Sequence, residues 1–138
     1  MSYTKILIAL EHRTEEAEVI HQAVRLAQAL GATLSAIHVN DPGAGKAHML
    51  MDSLPLATEE DIRAQFRELG YTQEAGEIQV EIVESSNYAA TIATAAQSSD
   101  LLVVGHRHKS RIVAALIDSL DERLADLAPC PMLIVPMR

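Results

Sequence analysis

The feature that most constrains the fold is a continuous apolar run, residues 101–104 (LLVV), which ends at Gly105 and leads into the basic segment HRHKSR. A strand that is apolar on both faces needs cover on both faces, so this run predicts a strand in the middle of a parallel sheet. A glycine-ended strand that leads into a helix is also where α/β folds bind anions, because unpaired helix N–H groups point there. The sequence therefore predicts a ligand site in the turn after Gly105.

Four further segments have the length and composition of strands, and helical patterns lie between them. Apolar residues three and four positions apart predict the helices. The predicted strands span residues 6–10, 33–39, 78–83, 101–104 and 132–135, and the helices begin near Ala17, Thr58, Asn87 and Ile112. Gly31 is placed for a C-terminal cap, and Thr58 and Asn87 for N-terminal caps. The inward faces are predicted to extend to Leu30 in the first helix and to Leu127 in the last.

This alternation predicts a single α/β domain over residues 1–138, a doubly wound sandwich with a five-stranded parallel sheet and four helices. If the first units move one way from the first strand and the later ones move the other, the strand order is 3-2-1-4-5. The switch point then lies between the strands that end at Leu10 and Gly105, and ligands bind at such a point. Residues 78–83 alternate between apolar and polar, which predicts a strand at the edge of the sheet.

The composition argues against several classes of function. The formal net charge is −8 and aromatic residues make up 3% of the chain, which disfavours nucleic acid and anionic membranes as partners. Cys130 is the only cysteine, so no internal disulfide can form. No apolar run approaches the roughly 18 residues of a membrane span, and the opening run is too short for a signal peptide. We therefore expect a cytoplasmic protein without nucleic-acid or membrane partners.

Other motifs give weaker support for chemistry. Residues 40–57 have no sustained period and predict a long loop over the carboxyl ends of the strands; the sequence GAGK within it lacks the first glycine and the hydroxyl of a phosphate loop. His106 and His108 offer two metal ligands without a defined third, so we expect no metal site. Ser119 has no nucleophile turn around it, and we expect no enzyme. His38, inside a strand, is predicted to be a satisfied core or crevice histidine.

Several segments together resemble the universal stress protein family. They are the opening KILIALE with AVRLAQALGATLSAIHV, the segment LLVVGHRHKS, the helix that carries Ser119, and the ending APCPMLIVP. The resemblance covers nearly the whole chain, in order. It implies the α/β fold predicted above, a cytoplasmic location and, as is usual in the family, a dimer.

The glycine positions of that family are altered in this chain. The resemblance implies that nucleotide-binding members have a glycine, two residues, a second glycine, nine residues, and then a glycine with serine or threonine. Gly105 and Ser119 fit the first and last of these positions, whereas His108 and Asp118 stand at the second and third. A side chain there keeps backbone N–H groups away from phosphate, and a carboxylate repels it. The pattern resembles the UspA-type subgroup with its degenerate ATP-binding motif, so we expect no cofactor, with ATP disfavoured.

A basic cluster leaves an anion site open as an alternative. Arg107 and Lys109 could pair with phosphate without the glycines, beside Gly105 and Ser119. Glu11 stands where the family tends to place an aspartate at the end of the first strand. These five residues form the candidate nucleotide or anion site. The other interpretation is that the cations are solvated and offset an acidic surface.

The last strand predicts a dimer. It begins at Met132 and ends at Val135, and the predicted order places it at the edge of the sheet. An exposed apolar edge invites pairing with another chain, and the resemblance implies that this strand meets its two-fold mate. We therefore expect a non-catalytic stress-response homodimer that acts through protein contacts. The alternatives are a nucleotide-sensing member of the same family and a nucleotide-dependent enzyme of the same fold.

Overall fold

The computed structural model describes residues 2–42, 56–107 and 124–137, and within them it has the predicted parallel sheet. The strand order is β3-β2-β1-β4-β5, which confirms the predicted order 3-2-1-4-5. Each neighbouring pair of strands is parallel. The strands are β1 (Lys5–Ala9), β2 (Thr33–Asn40), β3 (Gln79–Glu84), β4 (Leu101–Arg107) and β5 (Met132–Met137).

Helices cover both faces of this sheet. They are α1 (Ala17–Leu30), α2 (Glu59–Glu68), α3 (Thr72–Glu77) and α4 (Tyr88–Ala95), with 3-10 turns at Thr14–Glu16 and Ala96–Ser98. Residues 124–127 are also helical. No helix within residues 2–42, 56–107 and 124–137 has the length and apolarity to cross a membrane.

The position of β1 in the middle of the sheet explains why its sequence is continuously apolar. Ile6, Ile8 and Leu10 are buried in a cluster with residues of α1 and α2 on one face of the sheet. Leu7 and Ala9 are buried in a second cluster on the other face, with residues of α4 and the helical segment 124–127. Because successive side chains of a strand point to opposite faces, both halves of the core depend on this one strand.

The predicted helix boundaries are confirmed where the structure describes them. Gly31 has φ +64° and caps α1 in the left-handed conformation. The Thr58 hydroxyl accepts the Asp61 N–H at 3.2 Å while the Asp61 carboxylate accepts the Thr58 N–H at 2.8 Å, which completes a capping box. The Asn87 side chain accepts the Ala90 N–H at 3.2 Å at the start of α4.

Three details differ from the sequence predictions. Leu30 and Leu127 are 46% and 48% exposed, so the prediction that the inward faces extend to these residues is wrong. The short helix α3 was not predicted from the sequence. It has one buried alanine in six residues, which is too few to show a helical period. β4 continues beyond the predicted end, and residues 105–107 pair with residues 135–137 of β5. His106 and Arg107 therefore belong to the end of a strand and not to a turn.

Candidate functional site

The sheet has one topological switch point, at the carboxyl ends of β1 and β4. Ile6 pairs with Leu34 of β2 on one side and with Leu101 of β4 on the other. The chain leaves β1 towards the face covered by α1, whereas Leu124, which follows β4 in the chain, is buried in the cluster on the opposite face. Connections that diverge in this way leave a crevice between the two strand ends, and ligands of open α/β sheets bind there.

Gly105 has a packing role in this crevice wall. A Cβ added to Gly105 would lie 2.8 Å from Val19 Cγ2 and 2.8 Å from Met137 Sδ, which is closer than a Cβ approaches a non-bonded heavy atom. Glycine is therefore required here so that α1 and β5 can pack against β4. A contribution of Gly105 to ligand binding stays a prediction.

The segment after β1 forms the other wall, and its charged side chains pair with each other. Arg13 Nε donates to Glu11 Oε2 at 2.9 Å, and the two side chains are 18% and 26% exposed. His12, between them, has φ +58°, a left-handed conformation that non-glycine residues adopt at some cost. Glu11 is thus presented at the crevice with an arginine beside it, a partner that the sequence did not indicate.

The buried side chain of Glu16 fixes this segment through hydrogen bonds to its backbone. Its side chain is 2% exposed; Oε2 accepts the Glu11 N–H at 2.6 Å and Oε1 accepts the Arg13 N–H at 2.8 Å. Gln65 Nε2 of α2 donates to Oε1 at 3.2 Å. Desolvation raises the pKa of the Glu16 carboxyl, although the hydrogen bonds from Glu11, Arg13 and Gln65 act in the opposite direction.

The burial of Glu16 could have been predicted from its position in the sequence. Acidic residues in a first helical turn favour the helix dipole, and Glu15 and Glu16 fit that interpretation. Yet Glu16 is four positions before Ile20 and seven before Ala23, both fully buried residues of α1. This spacing places Glu16 on the inward stripe of the helix.

The end of β2 is tied to the same region. His38 is fully buried; its Nδ1 lies 2.8 Å from the Leu10 carbonyl oxygen and its Nε2 lies 2.8 Å from Asn40 Oδ1. The Asn40 amide in turn pairs with the backbone of Ala57 at 2.9 Å in both directions. The prediction of a satisfied core or crevice histidine is confirmed.

A cleft of about 180 Å³ opens beside the Glu11–Arg13 segment, between the start of α1 and α2. It is lined by residues that include His12, Arg13, Gln65 and Glu68. Gln65 Oε1 is buried with no hydrogen-bond partner among the residues that the structure describes. Across the same region, hydrogen bonds from the Thr58 backbone and side chain lower the pKa of the Asp61 carboxyl.

The structure describes only part of the predicted site. Glu11 follows β1, and Gly105 and the backbone of Arg107 lie at the end of the adjacent strand β4. Lys109 and Ser119 lie outside the described residues, as do His108, Asp118 and the GAGK sequence. Within residues 2–42, 56–107 and 124–137, no three His, Cys, Asp or Glu side chains come together as a metal site.

The fold defines an α/β protein with a crevice at a topological switch point, and comparison identifies its family. The model of the universal stress protein family matches residues 2–136. The chain therefore belongs to the universal stress protein family. A search of curated protein sequences gave no significant match.

Solved structures of the same family share the fold. A universal stress protein in complex with cAMP is 22% identical with a TM-score of 0.69, and the match covers 100% of both chains. The universal stress protein UspA from Lactobacillus plantarum is 23% identical with a TM-score of 0.71 over 98% of this chain and 99% of that one. A universal stress protein from Archaeoglobus fulgidus in complex with dAMP is 19% identical with a TM-score of 0.60 over 98% and 99%.

These comparisons contradict the expectation of no cofactor. The structures of two of the similar universal stress proteins are complexes with nucleotides, cAMP and dAMP. That expectation was based on the absence of glycine at His108 and Asp118. A glycine at these positions lets a loop of backbone N–H groups bind a triphosphate. Both of these nucleotides carry a single phosphate group, so the argument from the glycines does not apply to them.

Proposed function

We propose that this chain, as one domain over residues 1–138, is a UspA-type universal stress protein that binds an adenine mononucleotide between the ends of β1 and β4. The observation that carries the proposal is the switch point itself, with β1 between β2 and β4 and a charged segment, Glu11 to Arg13, at its mouth. The complexes of similar family members with cAMP and dAMP support this choice of ligand.

In this proposal the two walls of the crevice recognise different parts of the nucleotide. The Glu11 carboxylate accepts a hydrogen bond from the exocyclic amine of adenine, and the ion pair with Arg13 keeps it oriented. Arg107 and Lys109 pair with the phosphate, and the Ser119 hydroxyl donates to it. The charge of one phosphate group is matched by these two cations without a glycine loop.

A triphosphate is a poorer ligand in the same arrangement. Asp118 stands where nucleotide-binding members have a glycine, and its carboxylate would repel the outer phosphates. His108 would keep backbone N–H groups away from the same oxygens. The altered glycine positions thus select for nucleotides with one phosphate group.

Isothermal titration of the full chain with AMP, cAMP and magnesium ATP tests the proposal. Saturable binding of AMP or cAMP is expected, with magnesium ATP bound more weakly. Glu11→Gln and Arg107→Ala should each weaken binding about tenfold, the effect of losing one charged hydrogen bond. Glu18→Gln and Arg25→Ala, at exposed positions of α1, are the matched controls. Absence of binding by both mononucleotides, or equal affinity in all variants, would contradict the proposal.

The proposal includes a homodimer through β5. Ile134 is 44% exposed on this edge strand, and Leu127, just before it in the chain, is 48% exposed. The other edge strand, β3, has the exposed acidic residues Glu81 and Glu84, which discourage pairing. A second copy that pairs along β5 would shield the apolar edge.

The chain is proposed to act in the cytoplasm by binding and not by catalysis. Nucleotide in the crevice would alter the contacts that the dimer makes with a protein partner during stress. Incubation of the purified protein with AMP or ATP and separation of the products by chromatography checks this part. The nucleotides should be recovered unchanged, whereas turnover that depends on Ser119 would favour an enzyme.

A further inference from the structure

The buried carboxylate of Glu16 is matched to three hydrogen-bond donors. They are the N–H groups of Glu11 and Arg13, at 2.6 and 2.8 Å, and the side-chain amide of Gln65, at 3.2 Å. A carboxylate accepts all three, whereas a protonated carboxyl presents an O–H that must face one of these donors. The ionised form of Glu16 is therefore the form that fits the observed arrangement.

Charged and polar side chains from two parts of the chain surround Glu16. On its own segment, Glu11 repels it while Arg13 pairs with Glu11, and His12 lies between them. On α2, Gln65 is neutral, and Glu68 lines the neighbouring cleft. Burial raises the pKa of Glu16 above its ordinary range, and the negative charge of Glu11 adds to that effect. Glu16 is thereby protonated at a higher pH than an exposed glutamate.

We propose that Glu16 is a positioning residue for the crevice: its carboxylate fixes the segment from Glu11 to Arg13 in the observed conformation, and its protonation releases that segment. The inference is based on the proposed function, because Glu11 is the residue assigned to the nucleotide base. Release would lose the backbone hydrogen bonds that hold Glu11 and Arg13 on either side of the left-handed residue His12. Nucleotide binding should therefore weaken as the pH falls.

The first test uses the ligand-free protein. The amide resonances of Glu11 and Arg13 in a ¹H–¹⁵N spectrum should shift together, in one titration, as the pH is lowered from neutral. Glu16→Gln should abolish that joint titration, and Glu18→Gln, the same change at an exposed position of α1, should preserve it. Glu11→Gln is needed as well, because the Glu11 carboxyl lies close to its own amide; the Arg13 amide should still titrate in that variant.

The second test adds cAMP, whose phosphodiester keeps one negative charge throughout this pH range. Its affinity should fall about tenfold on acidification in the wild type, the effect of losing one charged hydrogen bond, and change little in Glu16→Gln. If cAMP binds and neither its affinity nor the two amides depend on Glu16, the inference is wrong. If the amides titrate as expected but no mononucleotide binds, the proposed function fails instead. Should Glu16→Gln not fold, the Arg13 titration in Glu11→Gln decides, and its absence overturns the inference.

Discussion

The side chain of Asn40 pairs with both backbone groups of Ala57: the Ala57 N–H donates to Asn40 Oδ1 and Asn40 Nδ2 donates to the Ala57 carbonyl, each at 2.9 Å. Asn40 Oδ1 also lies 2.8 Å from His38 Nε2. One amide thus joins the end of β2, the start of α2 and a buried histidine. Because His38 contacts the Leu10 carbonyl, this chain of contacts also reaches the wall of the crevice.

Replacing Asn40 with alanine should destabilise the fold more than replacing the other asparagine. Asn40→Ala removes both hydrogen bonds to the Ala57 backbone and the contact with His38 Nε2, at a cost of about 2–4 kcal/mol for several lost hydrogen bonds. Asn87→Ala removes one helix cap, at about 1 kcal/mol. Urea unfolding followed by circular dichroism measures both free energies of unfolding. Equal losses would contradict the larger contribution that is expected of the Asn40 network.

Replacing Gly105 with alanine should also destabilise the protein, through packing. The added Cβ would contact Val19 and Met137 at 2.8 Å, and overpacking of this kind costs about 1–3 kcal/mol. Gly76→Ala in α3 is the control, because a Cβ there meets nothing within 4 Å and alanine favours a helix by up to about 1 kcal/mol. Val19→Ala should partly restore the stability of Gly105→Ala. A neutral Gly105→Ala would contradict the packing role.

Asp100 should make stability depend on acid pH. Its Oδ2 accepts the Thr4 N–H at 2.8 Å, the Thr4 hydroxyl at 3.0 Å and the Lys5 N–H at 3.0 Å, and these bonds lower its pKa, the one from the Thr4 backbone most. Since the folded pKa lies below the unfolded value, this contribution is present above the unfolded pKa and lost as the pH falls through the folded one. Asp100→Asn should remove that part of the pH dependence.

Thermal unfolding at a series of pH values measures the effect of Asp100. The difference in melting temperature between the wild type and Asp100→Asn should be largest at neutral pH and should shrink in acid. Asp126→Asn, an exposed position of the segment 124–127, is the matched control and should differ little from the wild type. A difference for Asp100→Asn that stays constant with pH would contradict the assignment.

A charged residue on the edge of β5 should separate the proposed dimer. Ile134→Lys places an ammonium group where a second copy would pair, so the mass measured by light scattering after gel filtration should fall from two chains to one. Leu30→Lys on α1 is the matched control, since Leu30 and Ile134 are 46% and 44% exposed. A wild type that is already monomeric would contradict the dimer. A dimer that persists in Ile134→Lys would show that the two copies meet at a surface other than β5.

The sheet could be predicted from the sequence because its apolar runs are short, continuous and separated by helical periods. The caps at Gly31, Thr58 and Asn87 could also be predicted, because each residue type has a known preference for the end of a helix. The prediction failed at Leu30, the last residue of α1, which is 46% exposed although the helical period of apolar residues reaches it.

The site was harder to predict than the fold. Glu11 could be found because it directly follows a strand, but the Arg13 partner and the buried Glu16 depend on how the segment between them bends back. Gly105 was interpreted through phosphate binding alone, whereas its contacts with two distant residues, Val19 and Met137, depend on packing between elements. Packing between elements leaves no mark on local sequence patterns.

The most direct test of the proposed crevice is a ¹H–¹⁵N titration of the protein with AMP. The amides of Glu11, His12 and Arg107, at the ends of β1 and β4, are expected to shift progressively and saturate together. A larger cleft of about 430 Å³ at the other end of the sheet includes Gln28 and Glu74 in its lining. Shifts that cluster there, or no saturable shifts at all, would contradict the account.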